Sequence, residues 1–214
     1  MLGGANTAAV LNSNGDWEVI QYLNAVLVDV QTYELSGLLR GQGGTEGAMQ
    51  MPVAAGAQFV VLDAAVTLVP LSFADLNLPF NWRYSPGNRS IGDESYVTMP
   101  HAYKGLGLRP LSPTRVKATL AGGDVMLSWL RRTRIGGDSW EVAEVPLSED
   151  SERYEVDILS GATVKRTLAA LTPAVTYTLA QQTADFGAAQ AAVSIKVYQM
   201  SALFGRGAPR AAVV

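Results

Sequence analysis

The sequence has no cysteine, one histidine, no apolar run of membrane-spanning length and no block of like charges. Each absence excludes something. Without cysteine there are no disulfides and no thiolate metal sites, and the redox compartment leaves no trace. His101 stands beside Pro100 with no partner cluster, so neither a metal site nor a Ser-His-Asp triad finds its parts. The longest apolar tract, "FVVLDAAVTLVPL" from Phe59, is cut by Asp63, Thr67 and Pro70. It falls short of the roughly 20 residues a membrane helix needs, so no membrane insertion is expected. The N-terminus, "MLGGANTAAVLNSNGDW", lacks a basic n-region and a compact apolar h-region and does not read as a signal peptide.

What is present is an apolar content of 48% over 214 residues, enough to bury a sizeable core. The net charge of −3 divides unevenly: Met1 to Ser112 carries 5 basic and 9 acidic residues, Pro113 to Val214 carries 11 and 10. Neither half has the charge of a polyanion binder, and no nucleic-acid partner is expected.

Short runs rich in Val, Tyr, Thr and Leu recur between turn residues, the rhythm of an all-β chain without long helices. "WEVIQY" from Trp17, "AVLVDV" from Ala25 and "TYELSGLL" from Thr32 read as three strands of a meander, the first introduced by the turn "NSNGD". "QFVVLD", "NWRYS" and "SYVTM" read as later strands of the same unit. "GLRPLSPTRV" supplies two prolines that stiffen the chain, which places a boundary near Ser112. The reading is an antiparallel β domain over 1–112 and a second β domain over 113–214.

In the second domain "VMLSWL" puts Val125, Leu127 and Trp129 on one strand face, so Trp129 points into a core. Continued alternation turns Arg131 inward at the strand end and leaves Arg132 and Arg134 off any common basic face. The segment also holds Asp138, Glu141 and Glu144, which would repel phosphate. Arg131, Arg132, Arg134 and Trp140 are therefore interface candidates, with the arginines expected in salt bridges within the protein or between subunits.

No constellation for catalysis emerges, and the chain is not expected to be an enzyme or to need a cofactor or metal. "GLLRGQGGTEG" invites a phosphate-loop reading, yet no Lys-Ser/Thr pair follows and Glu46 breaks the glycine spacing. A turn or close-packed loop is preferred. Asp93 and Glu94, and the acids of Ser148 to Glu152, could be paired carboxylates for glycoside hydrolysis. That chemistry needs a separation of about 5 to 9 Å across a cleft, and adjacency in a polar loop reads as a solvated turn. Trp82, Arg83 and Tyr84 cluster before a turn. As exposed groups they suit stacking on sugars or a protein contact; the plainer reading is that Trp82 and Tyr84 share a buried strand face.

Trp129, Tyr154 of "RYEVDIL", and Leu171, Pro173 and Tyr177 in the order L-x-P-x-x-x-Y resemble a fibronectin type III domain. The resemblance implies a β-sandwich, with Trp129 on its second strand, Tyr154 on its third, and Tyr177 as a corner tyrosine whose hydroxyl bonds nearby backbone. The stretch 131–153 is then a long insertion that must protrude or pack on a neighbour. "YELSGLLRGQGGTEGAM", "RRTRIGGDSWEVAEVPL", "ADFG" and "SALFGRGAP" together resemble the C-terminal region of the large tail-tip protein of gene transfer agents and related siphophages, the baseplate megatron or host-specificity protein. That resemblance implies a virion structural protein at the distal tail end, made in the host cytoplasm. It also implies contact with other baseplate and tail-hub proteins, a homotrimer in the virion, and a part in host attachment. The family's hub and its domain resembling a glycoside-hydrolase barrel are absent here, which makes the chain a fragment or a separately encoded tip piece. The alternative is a carbohydrate-binding module that contacts host capsule or envelope glycans.

Overall fold

The computed structural model describes residues 5–137, 141 and 144–214. The expectation of an all-β fold holds. The first half contributes β1 (Thr7–Leu11), β2 (Trp17–Gln21), β3 (Asn24–Asp29), β4 (Thr32–Ser36), β5 (Leu39–Gln42), β6 (Phe59–Val61), β7 (Pro79–Tyr84) and β8 (Val97–Ala102). The second contributes β9 (Thr114–Ala121), β10 (Asp124–Leu130), β11 (Tyr154–Ser160), β12 (Thr163–Ala170) and β13 (Ala174–Tyr177). After the helix α1 (Leu179–Phe186) come β14 (Ser194–Ser201), β15 (Gly205–Arg206) and β16 (Arg210–Val213).

The second half is a sandwich of the kind the fibronectin resemblance implies. β10 lies between β9 and β13 in one antiparallel sheet. The other runs β12-β11-β14, with β15 and β16 pairing successive parts of β14. The alternation read in "DVMLSWL" is the burial pattern of β10: Val125, Leu127 and Trp129 face inward. Opposite them stand Tyr154, Val156 and Ile158 of β11 and Ile195 and Val197 of β14, all in one buried cluster. Trp129 meets Tyr154 edge-on, with ring centroids 5.1 Å apart, the geometry the aromatic quadrupoles favour.

Tyr177 is fully buried, but its role differs from the one the resemblance implies. Its hydroxyl donates to Oδ2 of Asp185 at 2.8 Å, a carboxylate on α1 and not a backbone group. The reason is that the chain turns from β13 directly into a helix. Thr178 Oγ1 accepts from the Gln181 N–H at 3.2 Å while Gln181 Oε1 accepts from the Thr178 N–H at 3.0 Å, a capping box that starts α1. Gly187, with φ of +82°, ends it.

The first half is less enclosed. Its sheet runs β5-β2-β1-β6 over a small core of Ala8, Val10 and Ile20. The expected meander is corrected here: β2 pairs with β1 and β5, while β3 and β4 form a separate two-stranded hairpin. "NAVLVD" is apolar at four successive positions, so no alternation assigns it a core face. β5 takes the edge of β2, where buried Glu18 accepts from Arg40 and from the Gly41 N–H. β7 and β8 form a second separate hairpin.

The connector between the halves is packed against the sandwich of the second half. Pro110 and Pro113 are fully buried, and the Ala208 N–H donates to the Pro110 carbonyl at 2.9 Å. A Cβ at Gly207 would stand 2.8 Å from Pro110 Cβ, so glycine is needed for this approach.

On β11 the buried Asp157 accepts from Arg206 Nη1 and Nη2 at 2.7 and 3.0 Å and from Thr167 Oγ1 at 2.6 Å. Burial pulls its carboxyl upward, but the Arg206 and Thr167 bonds outweigh burial and hold it below the ordinary 3.8. A group depressed in the folded state contributes stability above its unfolded pKa and loses it as pH falls through the folded value. Stability is therefore expected to drop progressively below about pH 4, and Asp157→Asn should be less stable at neutral pH with a flatter acid limb. Urea melts across pH check this, and an unchanged acid limb in the variant would remove the ion pair from the explanation.

Candidate functional site

The aromatic-arginine cluster predicted at Trp82, Arg83 and Tyr84 sits on β7, where alternation divides it. Trp82 and Tyr84 point to one face and Arg83 to the other. Trp82 is half-buried against Phe80, with centroids 6.0 Å apart, and its indole N–H donates to the His101 carbonyl at 3.0 Å. The Arg83 guanidinium lies 4.7 Å from the Tyr96 ring centroid, a cation–π contact. Tyr84 is exposed, so the shared buried face expected for the pair holds for Trp82 only in part and for Tyr84 not at all. His101 is exposed on β8.

The arginines after β10 are held within the protein. Arg131 reaches Glu144 at 3.5 Å and Glu152 at 3.7 Å. Arg134 bonds Glu149 Oε1 at 3.1 Å and the Ser148 carbonyl at 3.1 Å. The Glu149 side chain is only 3% exposed, which corrects the reading of Ser148 to Glu152 as a solvated turn: a buried carboxylate there holds an arginine. Glu152 accepts from the Tyr154 hydroxyl at 2.7 Å, and burial followed by that bond pushes the tyrosine's pKa up. Asp93, in a part-buried turn, accepts from the Ser95 N–H at 2.9 Å. Trp140, named with the arginines as an interface candidate, lies outside the described residues.

Arg132 crosses to the first half. Its Nη1 donates to Glu46 Oε1 at 2.6 Å, joining the end of β10 to the glycine-rich loop after β5. The chain turns sharply here: Gly41 in β5 and Gly43 and Gly44 beyond it take φ of +63°, +63° and +82°, and the packing is tight at Gly41, where a Cβ would stand 3.0 Å from Glu46 Cα. Arg109 from the connector donates to the Gly44 carbonyl at 2.9 Å. Sequence reasoning missed Glu46, Arg109 and Glu149. Their partners lie up to 86 residues away, and isolated charges in loops carry no periodic signal.

An open apolar surface lies at the β3–β4 hairpin. In the β3–β4 hairpin every residue of β3 is exposed, with Leu27 at 61% and Val26 at 57%. Between this hairpin and β6 lies a groove of about 460 Å³ lined by Tyr22, Ala25, Tyr33, Leu35, Phe59 and Val61. An isolated two-stranded hairpin is marginal in water, and contiguous apolar surfaces of this kind occur at protein contacts, membrane contacts and ligand grooves.

Residues 1–60 match the family described as Rcc01698-like, C-terminal, named for a protein associated with gene transfer agents. That match spans less than half of the chain. No curated protein matches the sequence. Among solved structures, domains d3-d4 of the rat CD45 extracellular region align at a TM-score of 0.37 and 12% identity, covering 98% of this chain and 94% of that one. The FN5 domain of Drosophila Lar aligns at a TM-score of 0.29 and 21% identity, covering 49% of this chain and 94% of that one.

Proposed function

We propose that the chain is a structural component of the distal tail tip or baseplate of a phage or gene transfer agent, contributing to tail assembly and host attachment. The match of residues 1–60 supports a relation to gene transfer agents. The observation that carries the assembly role is the β3–β4 hairpin, which lies inside the matched segment and presents Val26, Leu27 and Val28 to solvent. Those side chains have no core to enter in the monomer, and covering them by a tail-hub protein or by sister copies in a homotrimer removes apolar surface from water. A carbohydrate-binding role centred on Trp82, Arg83 and Tyr84 draws less support. The Trp82 N–H is engaged, Arg83 is stacked on Tyr96, and the two residues face opposite ways.

Leu27→Asp tests the reading, because an exposed site should accept the charge without loss of fold. The variant is expected to melt with the wild-type chain yet fail to enter assembled tails, scored by mass measurement of purified tips. Normal incorporation of Leu27→Asp would overturn the assigned surface, and a single copy per tail would overturn the trimer.

A further inference from the structure

A cleft of about 350 Å³ opens between the two halves, at the small end of the roughly 300–1,000 Å³ typical of ligand sites. In a chain of net charge −3 its wall carries the guanidinium groups of Arg40, Arg109, Arg132 and Arg134 against one carboxylate, Glu46. Three of the four have an acid partner. Arg40 pairs with Glu18 and Arg134 with Glu149, and neither acid lines the cleft; their side chains are each 3% exposed. Arg132 pairs with Glu46 in the wall itself. Arg109 is different: among the described residues it meets no carboxylate, makes one bond to the Gly44 carbonyl, and leaves its buried Nε without a partner. A guanidinium offers five N–H donors, so Arg109 has capacity to spare.

We propose that this cleft binds a small organic carboxylate, for which glucuronate serves as the probe. The charge follows from the wall, where four arginines stand against one carboxylate, and from Arg109, which has no acid partner among the described residues and can meet a carboxylate with parallel bonds. Glu46 offers the cleft no free acceptor, because its Oε1 is held by Arg132 and its Oε2, unpartnered among the described residues, is buried from solvent. The loop leaves room for close approach. At Gly43 and Gly107, both in the wall, nothing stands within 4 Å of where a Cβ would be. This site does not rest on the tail-tip reading, since it uses a different surface and needs no assembly partner.

The test is titration of the whole chain with sodium glucuronate, inorganic phosphate and glucose, followed by calorimetry and by amide chemical shifts. Glucuronate is expected to bind saturably, to perturb the loop amides around Gly43 and Gly107, and to weaken as salt rises. Glucose should be silent. Arg109→Gln should weaken glucuronate by about tenfold or more, with Arg109→Lys retaining part of the affinity. Because Arg109 also holds the Gly44 carbonyl, Gly107→Glu is the second variant: its backbone accepts a side chain, and the added carboxylate faces the ligand. It should abolish binding at unchanged melting temperature. Silence with glucuronate overturns the proposal whatever phosphate does. Equal binding of glucose, or binding untouched by both Arg109→Gln and Gly107→Glu, overturns it as well.

Discussion

Trp129→Ala is expected to lower the unfolding free energy by about 3–5 kcal/mol, the range for deleting a large buried aromatic. The indole is 3% exposed and belongs to the cluster that joins both sheets. On one side it contacts the edge of Tyr154, which is itself fully buried and tied by its hydroxyl to Glu152. That bond restrains Tyr154 from collapsing into the space left behind, so much of the cavity should persist. The trimmed residue also lies on β10, the central strand of its sheet, where a shift would disturb pairing with both β9 and β13. Denaturant melts of the whole chain measure the effect. A variant as stable as wild type would mean that β10 does not pack its Val125-Leu127-Trp129 face between the sheets.

The same strand shows which parts of this fold were legible beforehand. Val125, Leu127 and Trp129 alternate with Met126, Ser128 and Leu130, so the period of two predicted both the strand and its buried face. Tyr154 and Tyr177 were legible as core residues through their place in the fibronectin pattern. The destination of the Tyr177 hydroxyl was not, because Asp185 comes within reach only when α1 forms. The signals for α1 were in the chain: Thr178 with Gln181 three residues on, and Gly187 after the last turn. They lay inside a strand-rich stretch whose pattern dominated the reading. In the first half, "NAVLVD" gave no face to its strand, and the choice of β5 over β3 as partner of β2 depends on a buried carboxylate. The candidate site was legible to the same limited degree. The arginine segment could be read as internally paired, but Glu46 and Glu149 as its partners depend on tertiary approach across distances that loop sequence does not encode.

That buried carboxylate carries the second large expectation: Arg40→Ala should destabilise the chain by about 3–5 kcal/mol, the cost of breaking a buried pair from one side. Glu18 sits on β2 with its side chain 3% exposed and accepts three bonds, from Arg40 Nε at 2.7 Å, Arg40 Nη2 at 2.5 Å and the Gly41 N–H at 3.0 Å. Removing the guanidinium leaves a carboxylate that water can scarcely reach, with one backbone donor to stabilise its charge. The reverse change should cost less. In Glu18→Gln, Arg40 keeps its bond to the Gln50 carbonyl at 3.0 Å and, at 21% exposure, can turn toward solvent. Arg40→Lys should fall between, because an ammonium restores the charge without the two parallel bonds. Urea melts of the three variants give the order directly. If Arg40→Ala and Glu18→Gln proved equally mild, the pair would be a surface contact of small effect. The pairing of β5 with β2, and with it the seating of the glycine loop, would then need another cause.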